Sequence, residues 1–227
     1  MSRRNYGQFC GLAHALDVVG ERWTLLIVRE LASGPKRYTQ LADALTGIGT
    51  SLLATRVRQL EADGVVARKL ILDQPNAAVA YELTPSGIEL AKATVPLALW
   101  GARHQMAGVE SVEETFRAEW ALGFLAAADD DEIPADFAAV YQFHIDGSTA
   151  CLHVRDGRLR VKAGAAPAAD VTVRTTAATF LAIAGRHVTL GEAIARGDLE
   201  VTGDADAMAQ QTGIVELRLP GGAPLRA

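Results

Sequence analysis

The sequence predicts an α+β chain in two parts: a mainly helical front half with one β-hairpin, and a back half built on a mostly antiparallel five-stranded sheet packed by helices. Three observations predict it. Apolar residues recur at i, i+3, i+4 and i+7 up to about residue 63, switch to alternation, and then return to helical spacing. From residue 137 alternation dominates, punctuated by Asp-Gly pairs at 146–147 and 156–157. Charge divides in the same way: residues 1–104 hold 12 Lys/Arg and 9 Asp/Glu (+3), residues 105–227 hold 10 and 18 (−8), and the two sum to −5. An acidic chain argues against a nucleic-acid binder, but a basic front half on an acidic back half leaves that function open, although an excess of +3 carries little weight alone.

In the front half, GLAHALDVV places Leu12, Ala15, Leu16 and Val19 at helical spacing, which predicts a first helix from Gly11 to about Val19. ERWTLLIVREL is a second, more apolar helix with Trp23, Leu26, Ile27 and Glu30/Leu31 on its buried stripe, stopped by Ser33-Gly34-Pro35. RYTQLADAL is a short third helix with Leu41, Ala44 and Leu45 inward, and Thr46-Gly47-Ile48-Gly49 is a turn. A fourth helix runs from Thr50 to about Asp63, with Leu52, Leu53, Val57 and Leu60 as its apolar back and Gly64 as its C-terminal cap. VVARKLIL and VAYELT form a β-hairpin around DQPNAA, and PSGIELAKATVPLALWGARHQ is a fifth helix, begun by Pro85 and a candidate for a kink at Pro96.

The third and fourth helices have helix-turn-helix dimensions, and the hairpin behind them makes a wing. A surface helix needs only to be soluble. The small front of Thr50, Ser51, Ala54, Thr55 and Arg58 instead suits close approach to another surface, with Arg58 able to reach a guanine edge or a phosphate in a major groove. Lys36, Arg37 and Tyr38 at the start of the third helix, and Arg68, Lys69 and Asn76 in the wing, are the accompanying candidates for DNA contact. A solvated face of a helical bundle is the plain alternative, and the wing argues against it.

The back half begins with VEETFRAEWALGFLAAADDDEIP, where Val112, Phe116, Trp120 and Phe124 lie four apart on one predicted helical stripe. DFAAVYQFHI is a strand with Phe137, Ala139, Tyr141, Phe143 and Ile145 on one face; STACLHVR, RLRVKAG and ADVTVRT follow as strands. TAATFLAIAGRH and TLGEAIARG read as helices, LEVTGD as the fifth strand and ADAMAQQTG as a last helix.

LDVVGERWTLLIVREL, RVRQLEADGVV and YELTPSG, within Cys10 to about Arg103, resemble the HxlR-type winged-helix transcriptional regulators, relatives of the MarR group. The resemblance implies a homodimeric DNA binder on an inverted repeat, with the first and last helices of the front half forming the dimer contact. One departure is Gly49, where that family often has Ser at the cap of the groove-entering helix; Gly costs only a few tenths of a kcal/mol there. DGSTACLHVRDGRLRV, ADVTVRTTAATFLAIAG and TLGEAIARGDLEVTGD, within about Phe137 to Thr212, are similar to the sterol carrier protein type 2-like fold, which implies a groove for lipid-like ligands. The expected division is therefore a winged helix-turn-helix DNA-binding domain over 1–107, a connecting helix and linker over 108–134, and a sterol-carrier-like α+β domain over 135–227.

On the effector side, Phe116, Trp120, Phe124, Phe137, Tyr141, Phe143, Phe180 and Ile183 are candidates to line an apolar pocket, or equally to be plain core. Cys10 stands where the family it resembles usually has a cysteine, which in some relatives senses oxidants, next to a helix start that can lower a thiol pKa; a buried packing cysteine is the alternative. The five histidines show no metal-ligand spacing, and no serine sits in a nucleophile elbow, so the sequence predicts no metal, no cofactor and no catalytic residues. Two cysteines make no disulfide framework, the chain start lacks a signal-peptide pattern, and no uncharged apolar run approaches ~20 residues, which together predict a cytoplasmic chain with no membrane span. The reading is a dimeric regulator controlled by an apolar or amphipathic small molecule. The alternatives are a lipid or acyl carrier whose winged helix contacts protein, and a regulator whose back domain binds no ligand.

Overall fold

The computed structural model describes residues 5–71, 78–106, 115–126, 133–185, 187–205 and 207–208, the side chains of 124–126 excepted. The chain divides into two compact units, Met1–Thr94 and Val95–Ala227. That division falls inside the fifth helix rather than after it, earlier than the boundary at 107 expected from the sequence.

In the first unit the order is α1 (Gly11–Val19), α2 (Thr24–Ala32), β1 (Lys36–Arg37), α3 (Tyr38–Ala44), α4 (Thr50–Ala62), β2 (Val66–Ile71) and β3 (Ala78–Leu83), with α5 (Pro85–Gln105) running on from it. The core joins Ile27, Val28 and Leu31 of α2 to Leu41 of α3, Leu53, Val57 and Leu60 of α4, and Val65–Val66. Two apolar residues predicted to face inward do not: Leu26 is 39% and Leu52 36% exposed, while Val28, absent from the predicted stripe, is fully buried. β2 and β3 pair antiparallel from Val66↔Leu83 to Ile71↔Ala78, and β1 adds an edge through Lys36↔Tyr81, giving the order β1-β3-β2. The two-residue β1 is too short to carry a period that sequence could show.

The ELTPSG run has a local explanation. Thr84 Oγ1 accepts the Gly87 N–H at 3.1 Å and donates to the Gly64 carbonyl at 2.5 Å, so one hydroxyl caps α5 and ties it to the end of α4. Pro85 fills the first helical position, whose N–H needs no partner. Gly87 is required because a Cβ there would collide with the Val65 carbonyl. Pro96 lies within α5, which continues through it to Gln105.

In the second unit α6 (Ala118–Ala126) precedes β4 (Ala139–Ile145), β5 (Ser148–Arg155), β6 (Arg158–Ala163), β7 (Val171–Thr175), α7 (Ala177–Ala184), α8 (Leu190–Arg196) and β8 (Leu199–Gly203). The sheet order is β6-β5-β4-β7-β8, antiparallel except for the parallel pair β4–β7. Both Asp-Gly turns have positive φ at each central residue (45° and 78° at 146–147, 53° and 68° at 156–157), the geometry that matches strand twist in two-residue hairpins. Thr189 and Glu192 form a capping box on α8, which Gly197 closes in the left-handed region.

The predicted aromatic stripe is corrected here. α6 begins at Ala118, so Phe116 precedes the helix, outside regular secondary structure, and does not share a helical face with Trp120. Val112 and the side chain of Phe124 lie outside the described residues, as does most of the predicted last helix. No helix among the described residues is long and apolar enough to cross a membrane.

Candidate DNA-contacting face and ligand sites

α4 is held from three directions. Its apolar side, Leu53, Val57 and Leu60, is buried in the core of the first unit. At its start the Tyr38 hydroxyl donates to the Thr50 carbonyl at 2.6 Å. At mid-helix Arg56 donates to Glu21 Oε2 at 2.7 Å and to Gln59 Oε1 at 2.7 Å. Tyr38 thus positions α4 through its hydroxyl, whereas the sequence offered it as a DNA contact. Arg56, which anchors α4 to the α1–α2 connection, has no sequence signal beyond its charge. The preceding turn carries Gly47 at φ 94°, a backbone conformation that favours glycine, with the Trp23 ring in ordinary contact 3.6 Å from where a Cβ would stand.

The opposite side of α4 presents Ser51 and Arg58 exposed, with Ala54 and Thr55 half-buried. Thr55 Oγ1 donates to the Ser51 carbonyl at 2.8 Å, and Arg58 Nε donates to the Ala54 carbonyl at 3.1 Å. The guanidinium therefore lies back along the helix over the small residues, its Nη2 donating to Thr55 Oγ1 at 3.5 Å, and Nη1 has no hydrogen-bond partner among the described residues. Thr50 is exposed at the first turn.

The surrounding cations differ from one another. Lys36 Nζ is 2.9 Å from Glu30 Oε2, and Arg29 Nη2 is 2.9 Å from Glu30 Oε1, so Lys36 is committed to a buried carboxylate. Arg68 pairs with Glu61 at 3.0 Å and Lys69 with Glu82 at 2.7 Å, both near the surface where such pairs exchange readily with water. Arg37 is half-buried and makes no ion pair among the described residues. Asn76 lies outside the described residues.

Cys10 is exposed at the N-terminal cap of α1, and the backbone N–H groups of Ala13 and Leu12 hold its thiol pKa below the usual value. Cys151 is its opposite: buried, its thiol pushed up by that burial, its Sγ 3.2 Å from the Gly164 carbonyl.

Of the predicted effector residues, Tyr141, Phe143 and Ile183 belong to the buried core of the second unit, with Phe116, Phe137 and Phe180 packed against it. The Tyr141 side chain is fully buried and its hydroxyl donates to the Ala207 carbonyl at 3.0 Å. Trp120 is half-buried on α6, with the Arg117 guanidinium 5.8 Å from its ring centroid. Among the described residues these side chains, Trp120 apart, form the core or pack against it. A cleft of about 720 Å³ lies on the other side of the sheet, lined by β4, β5 and β6.

Residues 18–108 match the HxlR-like helix-turn-helix family, and residues 122–216 match the SCP-2 sterol transfer family. The HTH-type transcriptional regulator YvaP of Bacillus subtilis is 34% identical over 86 residues, 38% of this chain and 79% of YvaP. The chain belongs to the HxlR-like helix-turn-helix family. Another relative, the HTH-type transcriptional regulator sll1512 of Synechocystis, is 39% identical over 84 residues, 37% of this chain; the chain spans only 62% of its length. Among solved structures, the reduced form of the transcriptional regulator YodB from B. subtilis is similar at 28% identity and a TM-score of 0.39, covering 45% of this chain and 100% of that one. In HxlR-like terms the helix-turn-helix is α3–α4 and the wing is β2–β3, as the order of elements predicts.

Proposed function

We propose that this protein is a sequence-specific DNA-binding transcriptional regulator in which α4 enters a major groove and the β2–β3 hairpin contacts the flanking backbone. The observation that carries it is the division of α4: Leu53, Val57 and Leu60 on a buried side, Ser51, Thr55 and Arg58 on the other. The names of the HTH-type relatives support the same reading. The test is a mobility-shift titration against the DNA upstream of its own coding sequence, at several salt concentrations and beside random duplex of equal length. A specific fragment should bind at least ~10³-fold more tightly than random duplex. Equal affinity for both would refute sequence-specific regulation.

The regulator acts as a twofold homodimer on an inverted repeat, with half-sites about one helical turn apart, ~34 Å. Support comes from large apolar residues left in water: on α1, Leu12 is 69% exposed, and on α5, Leu97 and Trp100 are 54% and 50% exposed. On the same helix Leu90 packs against the core and Leu99 is buried, so neither belongs to that surface. Sedimentation at micromolar concentration should give twice the chain mass, and Leu97→Asp should halve it; a monomer that still binds the repeat would refute the dimer.

Control by an apolar effector in the second unit rests on the likeness of residues 122–216 to the SCP-2 sterol transfer family. Since Tyr141, Phe143 and Leu152 fill the described interior, binding there requires core side chains to move. A long-chain fatty acid titrated against Trp120 fluorescence tests this; absence of a saturable change would leave a regulator without such an effector.

A further inference from the structure

We propose that the outward face of strands β4–β6 is a binding site for a small organic polyanion, whose phosphate or carboxylate groups are held by Arg155, Arg158, Arg160 and Lys162. This goes beyond the DNA-binding reading and does not depend on it.

The pairing register brings the cations together. Arg155 stands opposite Arg158, His153 opposite Arg160, and Cys151 opposite Lys162. On β6, Leu159 and Val161 point into the core, so Arg158, Arg160 and Lys162 share the outward face, each about 6–7 Å from the next. Like charges directly opposite one another on a sheet are destabilising, yet none of these four cations is ion-paired among the described residues. The concentration is also out of character for its surroundings. Residues 105–227 carry a net charge of −8, and four of their ten Lys/Arg side chains line this one cleft. A bound anion would turn the repulsion into attraction, and guanidinium groups can grip phosphate or carboxylate with two parallel hydrogen bonds.

The cleft's shape and its remaining lining favour a small molecule over a nucleic-acid strand. It is a concavity of about 720 Å³, within the usual size of ligand sites, with Val140 on its β4 wall. Asp156 and Asp170 line it too, and these would repel a continuous phosphate backbone but can accept hydrogen bonds from ligand hydroxyl or amine groups. The Asp170 carboxylate is fixed in place by the Val140 N–H at 2.7 Å. Burial, then the Lys162 charge, hold the His153 pKa below its ordinary value, so this ring lines the cleft neutral. Three outward cations in a row span about 13 Å of backbone along β6, which suits a ligand carrying more than one anionic group.

The experiment is calorimetric titration of the full chain with tripolyphosphate and, separately, citrate, at constant ionic strength set by sodium chloride. At least one should bind saturably, one per chain, and the stronger of the two identifies the anionic group preferred. Arg160→Gln and Lys162→Gln should each weaken that binding roughly 10-fold or more, while Arg196→Gln on α8 leaves it unchanged. Both substituted residues are exposed, so the variants should fold, which circular dichroism checks. No saturable heat with either anion, or unchanged affinity in both cleft variants, would overturn the site. Displacement of the bound anion by random-sequence duplex DNA would overturn the small-ligand assignment.

Discussion

The Lys36 ammonium lies 2.9 Å from Glu30 Oε2, and that carboxylate belongs to a residue only 1% exposed. Burial raises the Glu30 pKa, but the hydrogen bonds and charges of Lys36 and Arg29 outweigh it and hold the carboxyl below its ordinary 4.5. A folded pKa below the unfolded one gives stability that is complete above about pH 5 and lost as pH falls through the folded value. Lys36→Ala should therefore destabilise the first unit, though by less than the roughly 3–5 kcal/mol of a lone buried pair, because Arg29 remains. Urea denaturation from pH 3 to 7 checks both parts: the variant should lose stability near neutrality, and its acid-side decline should be shallower than in the parent chain.

The same bond separates two cations that sequence alone treats alike. Among the described residues Arg37 pairs with no carboxylate, whereas Lys36 does. Arg37→Ala should reduce the slope of log affinity against log salt by about 1 for operator and random DNA equally. Lys36→Ala should leave that slope nearly unchanged once the fraction folded is allowed for. Arg58→Ala, by contrast, should cost roughly 1–3 kcal/mol on the operator and little on random duplex. Filter-binding isotherms at four salt concentrations distinguish the three patterns.

Much of this architecture was legible because period and punctuation agree: helices α1–α5 follow the spacing of their apolar residues, and the Asp-Gly turns set strands β4–β6. What was not legible came from tertiary pairing. Lys36–Arg37 is a strand only because β3 lies beside it. Glu30 falls on the buried stripe of the second helix in the sequence, and only the fold shows the two cations that close over its carboxylate. Phe116 matched a four-residue spacing that the backbone does not follow, since α6 starts at Ala118. The column of cations on β6 carries no signal within that strand alone, and its meaning depends on β5 placing Arg155 and His153 opposite it.

The two cysteines should react at very different rates. Cys10 is exposed with a lowered thiol pKa, and Cys151 is 1% exposed with a raised one. Iodoacetamide at pH 7 should modify Cys10 in the native chain while sparing Cys151, as read by peptide mass. Because only the thiolate attacks, the Cys10 rate should level off at a lower pH than that of an unstructured thiol. Equal labelling of both residues would contradict the burial of Cys151.

Tyr141 supplies an alkaline counterpart to Glu30. Burial, with the Asp170 charge adding to it, pushes its phenol from 10 up to about 12, while its hydroxyl donates to the Ala207 carbonyl at 3.0 Å. The folded state thus holds the proton more tightly than the unfolded state. The associated stability is fully present below pH 10 and is lost as pH rises from 10 towards 12, when the unfolded chain gains by ionising. The loss should reach roughly 2–3 kcal/mol at the upper end. Tyr141→Phe removes the titration and the hydrogen bond together. It should cost about 1 kcal/mol near neutrality and flatten the alkaline decline of the second unit, so that parent and variant curves cross above pH 10. Curves that stay parallel from pH 8 to 12 would mean that the Tyr141 hydroxyl is not held neutral in the core.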